Sequence, residues 1–180
     1  IDGDFNCSSK GISDFKGIVF GKVSGYFDCS YNNLTSLEGC PKEVGGDFIC
    51  SYNNLTSLKG SPKEVKGYFN CYNNNLTSLE GSPKEVKGYF NCSNNNLTSL
   101  EGAPKKVGGE FYFDYSEGAS SETLKLIFSK MIEYQLVYSD VLKSLWKEIP
   151  IEDKVLLYSS DLDWVEEPEA SKLAKIKKYT

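Results

Sequence analysis

Residues 26–46 read YFDCSYNNLTSLEGCPKEVGG, and the same order returns at 47–67, 68–88 and 89–109. Cys29, Cys50, Cys71 and Cys92 are therefore 21 residues apart, and each is accompanied by an aromatic residue, an asparagine, two leucines, a proline and a valine in fixed register. A constant period of this size is the mark of a solenoid, in which each unit buries its apolar side against the next. Within a unit, Tyr-Phe-Asn-Cys-Tyr alternates, so Phe69 and Cys71 belong to one face and Tyr68, Asn70 and Tyr72 to the other. The first set is predicted core, and the second is predicted surface. Cysteine suits a stacked inward column because it is small and readily buried.

The asparagine of each unit (Asn32, Asn53, Asn74 and Asn95) stands where the chain must turn out of the strand. Its amide is expected to bond backbone groups that the bend leaves unpaired. After it, Leu-Thr-Ser-Leu-Glu-Gly-x-Pro-Lys is short and broken by glycine and proline, so an extended or 3₁₀-like return without long helices is predicted. The order Phe-x-Cys-x-x-Asn-x-Leu resembles the leucine-rich repeat, with Phe27, Phe48, Phe69 and Phe90 at one strand-leucine position and the cysteines at the next. Leu34, Leu55, Leu76 and Leu97 close the motif. Val44, Val65, Val86 and Val107 precede their aromatics by four residues rather than three, which predicts a longer run into the strand. The unit looks most like the short repeats of bacterial effectors and phage-encoded repeat proteins. That resemblance covers roughly residues 3–116 and implies a module that binds and modulates a host protein, with a cytoplasmic location.

The ends depart from the consensus. Cys7 to Cys29 is 22 residues, and Phe15 stands at the position of the later Leu37. At the other end Phe113 replaces the cysteine and Ser116 the asparagine. Ile1 is not a methionine and the chain opens inside a repeat, which points to a preceding segment, a signal peptide among the alternatives. Residues 1–118 are read as the solenoid and 119–180 as a second part with a different pattern. There Leu124, Ile127, Phe128, Met131 and Ile132 fall on a helical stripe after Ser120 and Ser121, and Val141, Leu142, Leu145 and Trp146 on another before Pro150. The predicted fold is α+β: a parallel-strand solenoid of five to six coils closed by a C-terminal α-helical cap. The same helices read alternatively as a domain that recruits a second partner.

Charge and composition exclude several chemistries. The net charge is −5, which offers no broad attraction to nucleic acid or anionic membrane, and no run of 18 apolar residues exists. The chain has no histidine, so Ser-His-Asp and Cys-His pairs and imidazole metal sites are absent. Five of the six cysteines occupy the inward column and are predicted buried free thiols, with no Cys-x-x-Cys pair. Cys40 lies on a turn, where the other copies carry Ser61, Ser82 and Ala103, and is predicted exposed. The acidic run Asp161, Asp163, Glu166, Glu167 and Glu169 lacks an EF-hand order and reads as a solvated face. Asn33-Leu34-Thr35 and its copies match a glycosylation sequon that the repeat itself explains. No catalytic residue, metal or cofactor is expected.

The remaining surface is the outward side of the strands, with Tyr26, Asp28, Ser30 and Tyr31, then Asp47, Ile49, Ser51 and Tyr52. It continues through Tyr68, Asn70 and Tyr72, Tyr89 and Asn91, to Tyr112 and Tyr115. Tyrosine, serine and asparagine also dominate antibody paratopes, where rigid aromatic area combines with adaptable polar groups. This face is the predicted protein-binding site; cross-strand stacking alone is the competing reason for the tyrosines. Strand spacing gives a projected patch of roughly 300 Å², against about 800 Å² per partner in a standard interface. A partner is therefore expected to touch the flanking turns as well. Other readings are a secreted or surface glycan-binding protein, an enzyme using Asp161 and Asp163, and weak self-association through the strand edge at Asp4 to Cys7.

Overall fold

The computed structural model describes residues 1–114, together with 146, 147 and 154. The chain divides into two compact units, Ile1–Tyr115 and Ser116–Thr180. The first is a parallel β-solenoid. Its strands are two residues long: β1 (Phe5–Asn6), β2 (Lys22–Val23), β3 (Phe27–Asp28), β4 (Glu43–Val44), β5 (Phe48–Ile49) and β6 (Glu64–Val65). They continue as β7 (Phe69–Asn70), β8 (Glu85–Val86), β9 (Phe90–Asn91), β10 (Lys106–Val107) and β11 (Phe111–Tyr112). The odd-numbered strands form one six-stranded sheet in chain order and the even-numbered ones a second, five-stranded sheet. In the second unit, Trp146, Lys147 and Lys154 are helical, and the Lys154 ammonium lies 5.2 Å from the Trp146 ring centroid. The expected helical cap otherwise falls outside the described residues.

The second sheet corrects one sequence expectation. Val44 and its copies do not lengthen the strand of the first sheet; they pair among themselves, Val44 with Val23 and Val65. A glycine corner separates the two strands of each coil. At Gly46 an added Cβ would lie 2.9 Å from the backbone carbon of Gly25, so only glycine lets successive corners stack this closely. The return is a series of turns and bends, and among the described residues no 3₁₀ helix forms there. It turns at Gly39, Gly60, Gly81 and Gly102, which have φ between 83° and 96°. A Cβ at Gly60 would come within 2.4 Å of the Leu37 carbonyl carbon.

In-register stacking decides the packing. Phe27 pairs with Phe48, and Phe48 with Phe69. Their rings stack with centroids 5.5 and 5.2 Å apart and planes within 10° of parallel. Phe27, Phe48, Phe69 and Phe90 and the cysteines at 29, 50, 71 and 92 are fully buried. The first coil is filled differently: Phe15, Phe20 and Phe27 meet edge to face, with Phe5 joining Phe20 at 5.1 Å. At the far end the larger Phe113, buried, packs edge-on to Phe111. Leu97 is only half-buried, unlike its counterparts Leu34, Leu55 and Leu76.

The asparagines form the internal ladder that the sequence indicates. Asn53 Nδ2 donates to the carbonyls of Cys29, Cys50 and Ser51 at 3.0, 3.1 and 3.2 Å, and its Oδ1 accepts from Leu34 N at 3.0 Å. Asn32, Asn74 and Asn95 repeat the pattern one coil at a time. One buried side chain thus satisfies backbone groups of two coils at the bend. Asn53→Ala leaves them unpaired and should cost about 3 kcal/mol in denaturant unfolding, whereas Asn54→Ala, on an exposed neighbour, should stay within ~0.5 kcal/mol.

All six cysteines are free and buried. Cys40 is 2% exposed, which overturns its expected exposure: the turn that carries it folds its small side chain under the coil, as it does Ser61. Burial raises the Cys7 thiol from 9.0 to about 11, with Cys40 and Asp28 adding to the rise. Cys29, Cys50, Cys71 and Cys92 are also raised, in each case mainly by desolvation. A thiol raised in the fold binds more protons than the unfolded chain between these values, so its contribution is intact below pH 9 and lost as pH rises toward 11. Melting temperature should hold up to pH 9 and fall beyond it. Native protein should react with a disulfide reagent at neutral pH only as fast as it unfolds.

Candidate functional site: the tyrosine face

The first sheet turns one side outward at two positions per coil before the chain bends. Phe and Cys point inward, so Tyr26, Asp47, Tyr68 and Tyr89 form one outward column, and Asp28, Ile49, Asn70, Asn91 and Tyr112 the next. Asp47 sits between Tyr26 and Tyr68. Its Oδ1 accepts the Tyr68 amide at 2.9 Å, as Asp4 Oδ1 does that of Tyr26. In the second column Asp28, Asn70 and Asn91 each accept the amide two residues on, at 2.9, 3.0 and 3.0 Å. These short polar side chains hold the bend in an Asx turn. Ile49 has no atom that can do so, and it leaves an aliphatic group, half-buried, in the middle of a polar column.

The face differs from strict alternation in two ways. Ser30 and Ser51 are buried rather than outward; the Ser30 hydroxyl donates to Asp28 Oδ1 at 2.6 Å. Tyr31 and Tyr52 stand past the strand in left-handed backbone, with φ of 53° and 54°. Ser9, Asn73 and Asn94 fill the same place in the other coils, also with positive φ. Asparagine tolerates that region, whereas an aromatic side chain is strained there by roughly 1 kcal/mol. Sequence alternation missed this because it counts positions and not the turn that ends them.

The turn brings the tyrosines together in two rows. Tyr31 and Tyr52 stack at 4.2 Å, and Tyr72 tilts against Tyr52 at 5.3 Å. Tyr68 and Tyr89 stack at 4.5 Å, and Tyr112 meets Tyr89 edge-on at 5.9 Å. Tyr31, Tyr52 and Tyr112 are exposed at 56%, 37% and 40%. A hydrogen bond to the Tyr31 hydroxyl raises the Tyr52 phenol. Tyr115 lies outside the described residues. Among those described, no group of three acidic or thiol side chains is placed to hold a metal.

Desolvation, followed by the Asp47 carboxylate, raises Tyr68 to about 12, and the same two causes raise Tyr89. Removing the charge while keeping the amide acceptor isolates the second cause. Asp47→Asn should lower both phenol pKa values in a spectrophotometric titration without loss of stability at neutral pH. Comparison with known proteins adds no family to this geometry: no family model, curated protein sequence or solved structure matches the chain significantly.

Proposed function

We propose that the solenoid is a leucine-rich-repeat variant acting as a non-enzymatic protein-binding module through its tyrosine face. The observation that carries this reading is the pair Tyr31 and Tyr52. Both adopt a backbone conformation that suits asparagine or glycine, and both expose their rings, so neither strain nor position serves the core. Strain kept at an exposed aromatic pair is characteristic of a working surface. Stacking fixes the rings in advance, which lowers the entropy lost on binding. The leucine-rich-repeat assignment draws on the inward Phe, Cys, Asn and Leu positions, and it favours a host protein as the partner.

The chemistry of the chain agrees with binding. It has no histidine, and its thiols are buried, which removes the usual nucleophiles. Immobilised native protein and the variant Tyr31→Ser, Tyr52→Ser, Tyr68→Ser, Tyr89→Ser should be compared by capture from bacterial lysate. Serine suits the left-handed setting of Tyr31 and Tyr52, since Ser9 already occupies that position. One protein retained by the native form and lost by the folded variant is the expected result. Equal capture by both would move the site off this face. No capture by either would favour the glycan-binding reading.

A further inference from the structure

The lysines of the solenoid are kept off the first sheet, whereas acids lie on both sheets, with Glu43 and Glu85 paired to Lys22 and Lys106 on the second. Among residues 1–114 there are eleven lysines, and three of them, Lys10, Lys16 and Lys59, lie on turns and bends. The other eight lie on or beside the second sheet, such as Lys22, Lys42, Lys63 and Lys66 around a groove of about 660 Å³. The outward positions of the first sheet hold no cation and carry Asp4, Asp28, Asp47, Glu110 and Asp114. The tyrosine face is therefore anionic although the solenoid as a whole is nearly balanced.

The acids are also placed for a ligand. In Asp28 and Asp47 one oxygen, Oδ1, is engaged by backbone amides. Each carboxylate keeps a second oxygen, which in Asp28 meets only a 3.4 Å bond from Asn6, and Asp47 stands in register with Tyr68 in the column of the Tyr68–Tyr89 stack. Ile49 lies in register between Asp28 and Asn70, offering an apolar seat beside both charges. This combination fits a long cationic side chain. Its stem can lie on Ile49, its head can pair with a carboxylate, and a flat guanidinium can stack on a tyrosine ring.

We propose that the tyrosine face takes an arginine-rich or lysine-rich segment of its protein partner, anchored on Asp28, Asp47 and Ile49. The inference rests on the protein-binding reading and names the chemistry of the partner. In both acids asparagine keeps the Oδ1 acceptor and removes only the charge, and asparagine already stands at the Asp28 position in the coils of Asn70 and Asn91. The fold tolerates the exchange, and a loss on exchange reports the charge.

The probe is a random-peptide display library, selected on the full chain and counter-selected on the four-tyrosine serine variant. Peptides rich in arginine or lysine, weakened about tenfold or more by Asp28→Asn with Asp47→Asn and strongly weakened by salt, are the expected result. Peptides that need the tyrosines but are neutral or acidic, or are indifferent to the asparagine changes, would overturn the inference and leave the face a binding surface. If no peptide distinguishes native protein from the serine variant, the inference and the protein-binding reading both fall. Circular dichroism of each variant confirms folding before binding is scored.

Discussion

Everything in the solenoid depends on one constraint: each coil must present its backbone to the next in register. Strands of two residues supply few hydrogen bonds each, so isolated coils have nothing to hold them. What makes the stack continuous is the bond from an amide in one coil to a carbonyl in the next, repeated at Phe27 to Asp47, Cys29 to Ile49 and their copies at 2.8–3.0 Å. The bend after the strand would interrupt this series. Asn32, Asn53, Asn74 and Asn95 carry it across, each with a side-chain oxygen that accepts from the preceding coil and a side-chain nitrogen that donates to carbonyls of the preceding coil and its own.

The core follows from that register. A column of identical side chains must stack on itself, which phenylalanine does ring on ring and valine does in the in-register column of the second sheet. The surface follows as well. Tyrosines copied into the same column become parallel stacks, and acids copied beside them become a charged strip. The features with least structural reason are Ile49, which breaks an Asx turn series, and Tyr31 and Tyr52, which occupy strained backbone. These departures from the repeat give the face its individual chemistry.

Much of the inward architecture was legible in the sequence, since a 21-residue period with alternating Phe and Cys admits few packings. The asparagine ladder was legible for the same reason: a buried amide at a bend has few other uses. The second sheet was not, because Glu43–Val44 is too short for periodicity to reveal a strand, and its corner depends on how closely Gly25 and Gly46 approach. Cys40 was misplaced because a turn position alone does not tell which way a small side chain points. On the candidate face, the tyrosine and aspartate columns could be listed from spacing alone. The burial of Ser30, the left-handed Tyr31 and the pairing of Asp47 with the Tyr68 amide required coordinates.

The most direct test of the account is residue-resolved hydrogen exchange on the native chain, read at the amides of Leu34, Leu55 and Leu76. These donate to the side-chain oxygens of Asn53, Asn74 and Asn95 in the following coil, each at 3.0 Å. If the asparagine ladder joins the coils, the three amides exchange as slowly as those of Cys29, Cys50 and Cys71 within the strand series. Rapid exchange at the leucines, with the cysteines still protected, would contradict it and leave the bends unsupported.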